Sequence, residues 1–213
     1  MIPSVDLDVN FNPVRSDPYN VPPDDAMEFR LVYGGLLYGA SRTDTRSSHK
    51  NDVRKVFHQQ LKHLWNVAPK LREWMMGNPW KEVLKARDYL AKYHKFNGTS
   101  MVPLVTDGLG VGLKLDILML RPDQPGMTLM QSGDIDNRLK TIFDALRLPQ
   151  IGEVFDAGGE EPFFCLMQND STVNHVAVTT DLLLGDVDVN EVRLIITVTI
   201  WPIVGTIQNM GVF

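Results

Sequence analysis

Apolar positions recur along this chain with two periods, and each period predicts a kind of element. In MEFRLVYGGLLYG (27–39), Phe29, Leu31 and Tyr33 alternate with their neighbours before a glycine pair, which predicts a strand with a turn or bulge. From Asn51 the period becomes helical, with Val53, Val56, Phe57, Leu61, Leu64 and Trp65 as the apolar set and Asp52 near the start. A second helix is predicted over about Pro79–Lys95, where Val83, Leu84, Tyr89 and Leu90 lie among Lys81, Lys85, Arg87 and Lys92. The stretch between them, PKLREWMMGNPW, has no clear period; Trp74, Met75, Met76 and Trp80 suit a core cap or a dimer contact. Leu113–Leu120 reads as an apolar-rich strand. Val192–Trp201 reads as another, being rich in β-branched residues, and Val173, Val176 and Val178 alternate imperfectly within Asn169–Thr180. Between Gly133 and Pro149, Leu139, Ile142, Phe143 and Leu146 recur at i, i+3, i+4 and i+7, the stripe of an amphipathic helix that Pro149 ends. Strand, helices, strand, helix and then strands predict an α/β fold, a mixed β-sheet flanked by α-helices.

Composition narrows the class. The chain has 213 residues, enough for one domain with a sizeable core, and 44% hydrophobic with 22% charged residues is ordinary for a globular protein. No apolar run approaches the roughly 18 residues that a membrane span needs, so no membrane partner is expected. The first twenty residues lack a basic segment followed by an apolar one, so they do not read as a secretory signal. Cys165 is the one cysteine and sits in the apolar run PFFCLM, which suits a buried thiol and a reducing, cytoplasmic setting. Residues 1–26 hold five prolines and five aspartates and read as a flexible acidic arm. Residues 27–203 read as the folded domain, and 204–213 as an apolar, glycine-containing tail suited to a partner subunit.

Charge is unevenly placed. The net charge is −5, yet residues 42–95 hold 13 Lys and Arg against 5 Asp and Glu. A local balance of +8 is a surface on which phosphate can bind, although two solvated basic helices give the same count.

The chemistry concentrates on the helix after Gly133. Asp134 and Asp136 fall at its start, where capping and the helix dipole favour acids. Two carboxylates one residue apart can also turn toward one hard cation, and Lys140 follows Asp136 by one turn. Acid, acid and ammonium are the equipment of phosphoryl chemistry. An ordinary capped helix carries the same acids, and the metal reading needs a third carboxylate, for which Asp170 in QNDSTV is the candidate.

The pattern Asp134, Asp136, Asn137, Lys140, Asp144, Ala145, Leu146, followed by Asp170, Ser171 and Val173, resembles the RusA-like Holliday-junction resolvases. The likeness covers about Met27 to Trp201 and is sharp only in these two elements. It implies that Asp134, Asp136 and Asp170 hold Mg²⁺, with Mn²⁺ as a substitute, and that Lys140 assists at the phosphate. Asn137 and Asp144 take supporting roles, Asn137 by fixing a carboxylate and Asp144 by orienting Lys140; structural explanations serve these two equally well. Arg42, Arg46 and Lys50 in the loop after the first strand, with Arg138 and Arg147, are the expected DNA contacts. The expected activity is Mg²⁺-dependent cutting of four-way DNA junctions in recombination and repair. A homodimer is expected with it, because two matched cuts call for a two-fold pair of sites. A nuclease for other branched DNA and a non-catalytic DNA-binding protein are the alternatives.

Other features modify this picture. The glycines of DGLGVG are followed by a strand where a dinucleotide site requires a helix, so that reading fails. Asp116 inside that strand is expected on its solvent face. Residues 150–168 form an insertion relative to minimal family members, with Glu153, Asp156, Glu160 and Glu161 around a Gly158–Gly159 turn; a flap over the site and an inert insertion both fit. Asn169 stands where the family often has a further Asp. His58 and His63 fall on different helix faces, which disfavours zinc and suits solvated or phosphate-facing side chains.

Overall fold

The computed structural model describes residues 26–38, 44–76, 86–122, 134–185, 187–188 and 190–204; the side chains of 44–47, 76 and 134 stand outside that description. The described elements run β1 (Met27–Leu36), α1 (Asp44–Val67), α2 (Pro69–Met76), α3 (Ala86–Tyr93), β2 (Lys95–Phe96), β3 (Thr99–Val105), β4 (Val111–Arg121), α4 (Asp134–Leu146), β5 (Phe163–Met167), β6 (Val173–Leu182) and β7 (Glu191–Pro202). They form a mixed α/β structure with two sheets, one of four strands in the order β1-β7-β4-β6 and one of three in the order β2-β3-β5.

Strand β7 lies between β1 and β4, antiparallel to both, and β6 runs parallel to β4 on its far side. Along β7 the alternate residues Val192, Leu194, Ile196, Val198 and Ile200 are all buried, whereas Arg193 and Ile195 between them are exposed. One face of the larger sheet therefore meets the core and the other meets water, the usual division for strands joined antiparallel. Leu113, Leu115, Ile117 and Met119 continue the buried face on β4, while Lys114 and Asp116 pair with each other at 2.9 Å on the open face. Asp116 is thus the solvent-face residue its strand position predicts.

Helix α1 covers the core through Val53, Phe57, Leu61 and Trp65, spaced four apart and all buried. It begins seven residues before the period becomes readable at Asn51. Ala68, placed before a proline, ends it, and Pro69 opens α2 from a position where a missing N–H costs nothing. Helix α2 thus occupies part of the stretch that showed no period, and its Trp74 stacks on Trp65 with ring centroids 5.5 Å apart. Of the predicted helix over 79–95, residues 86–93 form α3, and residues 77–85 lie outside the description.

The glycines of DGLGVG have separate structural reasons. Gly110 takes φ +62° to turn the chain from a 3₁₀ turn (Asp107–Leu109) into β4. Gly112 lies under Trp201, where an added Cβ would come within 2.4 Å of the indole ring. Neither faces a phosphate loop, and the strand that follows agrees with the rejection of a dinucleotide site.

Candidate functional site

Helix α4 is fastened on three sides. Ile142, Ala145 and Leu146 are buried in the core, and Thr141 donates its hydroxyl to the Tyr38 carbonyl at 3.0 Å, tying the helix to the chain that leaves β1. At its C-terminal end Arg147 bridges to Met167 of β5, and the Leu148 N–H donates to the Met167 carbonyl at 3.1 Å. On the helix so held, Asp136, Asn137 and Lys140 are exposed. Asp134 is the first helical residue, and its side chain lies outside the description. Asp136 and Lys140 form no ion pair or side-chain hydrogen bond with another described residue.

Asp170 is also exposed, as the first residue of a 3₁₀ turn (Asp170–Thr172) leading into β6. Asn169 caps that turn by accepting the Ser171 N–H at 2.9 Å, and its amide donates to both carboxylate oxygens of Asp107 at 3.0 and 3.2 Å. Gln168 donates to the same Asp107 carboxylate at 3.2 Å. Asn169, the residue before Asp170, therefore anchors the Asp107 carboxylate. Asp107 was not foreseen as a neighbour of this turn, because it opens the glycine run that was read only for a nucleotide loop.

The two groups of acids lie at different places relative to β4. Asp170 precedes β6, whose Val173 pairs with Leu113 at the start of β4, and Asp134 opens the helix that follows β4 in sequence. Among the described residues no three of His, Cys, Asp and Glu gather closely enough to hold a metal ion, and Asp134 is the member of the expected set whose side chain lies outside them.

The charged residues that do gather form a different centre. Lys50 lies 3.3 Å from Asp144 and 3.0 Å from Glu153; Arg54 lies 3.0 Å from Glu153; Arg147 lies 2.6 Å from Glu153 and also pairs with Asp144. Arg54, Asp144 and Arg147 are buried, and Lys50 and Glu153 nearly so. Burial alone would raise the Glu153 pKa, but hydrogen bonds from Lys50 and Arg147, with their charges, hold it down at about 2. The insertion continues along α1: Asp156 pairs with Lys55 at 2.9 Å, the Asn51 side-chain amide donates to the Asp156 carbonyl and accepts from the Asp156 N–H, and Glu160 pairs with Lys62 at 2.6 Å. Residues 153–160 are therefore laid against the helix, and 163–167 are a strand of the smaller sheet.

Several expectations change on this evidence of burial and pairing. Lys50 and Arg147 face internal carboxylates, and Arg138 is 4% exposed, so these three do not present free cations to a DNA backbone. Arg42 lies outside the description; Arg46 lies on α1 with its side chain outside it. Asp144 is engaged by Lys50 and Arg147, not by Lys140. His58 is fully buried, stacked 4.0 Å from Phe163, where its Nδ1 accepts the Phe164 N–H at 2.8 Å. Its apolar neighbours and a main-chain donor took it inside, whereas His63 is exposed as expected. The exposed cations left from the basic stretch include Lys70, Arg72, Lys92 and Lys95.

A scan against protein-family models finds no family that matches this chain, and searches of curated proteins and of solved structures find no match either.

Proposed function

We propose that this chain is a metal-dependent endonuclease that cuts branched DNA, with the four-way junction as its substrate. The observation that carries the reading is a contrast among acids. Asp144, Glu153, Asp156 and Glu160 are all engaged by cations of the fold, while Asp136 and Asp170 are left exposed and unpaired among the described residues. Lys140, one helical turn from Asp136, is an exposed ammonium with no acid of the described fold to neutralise it.

Carboxylate oxygens are the donors a hard divalent ion prefers, so Asp134, Asp136 and Asp170 suit Mg²⁺, with Mn²⁺ as a substitute. When bound, the ion supplies Lewis acidity at the scissile phosphate and lowers the pKa of water. Lys140 holds its positive charge against the phosphate and offsets the charge that develops there. Asn137, exposed between them, orients a carboxylate through its amide. Two copies related by a two-fold axis match the symmetry of a four-way junction, and the exposed cations of α2, α3 and β2 contact its backbone without reading bases. A cytoplasmic location fits this work.

The test is cleavage of a labelled synthetic four-way junction with Mg²⁺, beside flap and linear duplex controls and an Asp136→Asn variant. Paired symmetric nicks that disappear in the variant support the proposal. Cutting of flaps in preference to junctions favours the second reading, a nuclease for other branched DNA; the internal pairing of Lys50, Arg54, Lys55 and Lys62 supports it by reducing the basic surface. Binding without cutting in Mg²⁺ or Mn²⁺ would leave a DNA-binding protein.

A further inference from the structure

The two edges of the larger sheet are treated differently. On β1, the Val32 N–H donates to Gln60 Oε1 at 2.8 Å and Gln60 Nε2 donates to the Val32 carbonyl at 2.7 Å, so an amide from α1 occupies that edge as a strand would. Glu28 and Arg30 add exposed charges beside it. Such devices keep an edge strand from pairing with another chain. On the opposite edge, β6 is ten residues long, contains no lysine or proline, and leaves Val176 42% and Leu182 37% exposed.

The main-chain direction of β6 can be read from its end. The Leu183 N–H donates to the Arg121 carbonyl at 2.6 Å, so the odd-numbered residues of β6 turn their main-chain groups toward β4. Alternation then turns the main-chain groups of Val176, Val178 and Thr180 toward the edge that no described strand covers.

We propose that this edge pairs with the same edge of a second copy, β6 antiparallel to β6 about a two-fold axis at Val178. In that register Val178 meets its own copy, Val176 meets Thr180, and all three are hydrogen-bonding positions, giving about six main-chain hydrogen bonds across the axis. The same register sets His175 opposite Asp181 at both ends, in the positions where side chains approach most closely. Shifting the axis to Ala177 or Thr179 separates that pair. The strand is thus self-complementary in main-chain direction and in its imidazole–carboxylate pairing at one register. Two four-stranded sheets would join into one of eight. The pairing would give the nuclease reading its two-fold pair of sites and rests on that reading for its purpose, but it forms without DNA or metal, so either idea can fail alone.

The full chain, free of DNA and metal, is measured by light scattering after gel filtration. The expected mass is twice the 24.0 kDa of one chain. His175→Asp, which sets like charges together at both ends, should raise the dissociation constant about tenfold or more, and His175→Asp with Asp181→His should restore it. The register is tested separately with Ala177→Cys/Thr179→Cys, positions that face each other in the pairing. Oxidation should give a covalent dimer with both cysteines present and far less with Ala177→Cys alone. A monomeric wild-type chain, or a dimer indifferent to the charge swap and not trapped by the paired cysteines, would overturn the proposal.

Discussion

Arg54 on α1 and Glu153, almost a hundred residues later, meet 3.0 Å apart with the guanidinium 1% and the carboxylate 13% exposed. Lys50 and Arg147 close on the same carboxylate, and Asp144 on the two of them. Three cations and two anions out of water hold one another in place, and removing one leaves its partners buried without compensation. Glu153→Gln should therefore destabilise the fold by about 3 kcal/mol at neutral pH, measured by urea denaturation. The pH dependence follows from the lowered pKa. The contribution of Glu153 is complete above about pH 4.5 and is lost as pH falls toward about 2, so the variant should lack that part of the acid limb.

His58 predicts a second, higher window. Burial lowers its pKa, against the opposing pull of Glu160, so the folded protein keeps the ring neutral where the unfolded chain would protonate it. Its contribution is present above about pH 6.5 and lost as pH falls below that. His49 and His94 are shifted down by burial in the same way, so the diagnostic quantity is the difference between wild type and His58→Asn. Unfolding free energy measured from pH 8 to pH 5 should fall less steeply in the variant, and identical slopes would contradict the buried neutral ring.

Lys140 lies on α4 and Arg147 directly follows that helix, and their substitutions should fail differently. Lys140→Ala removes an exposed ammonium, so stability should change by no more than about 0.5 kcal/mol, while junction cleavage falls on the order of a hundredfold with binding retained. Arg147→Ala breaks the buried pairs and should cost about 3–5 kcal/mol. Denaturation and single-turnover cleavage, run on both, separate a group that acts on substrate from one that holds the fold.

The chain discloses some of this and withholds the rest for physical reasons. Helix α4 and strand β7 were legible because each buries one side, so Leu139, Ile142 and Leu146, or Leu194, Ile196 and Val198, keep time with their element. Strands β3 and β5 were not legible. All five residues of β5 are buried, so no alternation survives, and Pro103 inside β3 argues against a strand. The proline is tolerated because β2 pairs only with Thr99 and Ser100. Basic residues between 42 and 95 could be counted, but their acidic partners lie about a hundred positions away in 153–160, and charge counts carry no information about pairing at that distance. Asp136, Lys140 and Asp170 were singled out by a family-like spacing, and all three are exposed.

Cys165 gives a reporter on the smaller sheet. It is 2% exposed, packed with Met101 and Phe163, and burial pushes its thiol up to about 12 despite the opposing charge of Arg54. A thiol so held is neither ionised nor reachable at pH 8, so an aromatic disulfide reagent should modify the native protein only as fast as β5 opens. Full modification is expected on adding denaturant. Glu153→Gln should speed native-state labelling, because Glu153 helps fasten the segment leading into β5 to α1. Prompt labelling of the wild-type protein would mean that β5 is not the sealed strand described. An unchanged rate in the variant would mean that the ion pairs of 153–160 do not hold β5 in place.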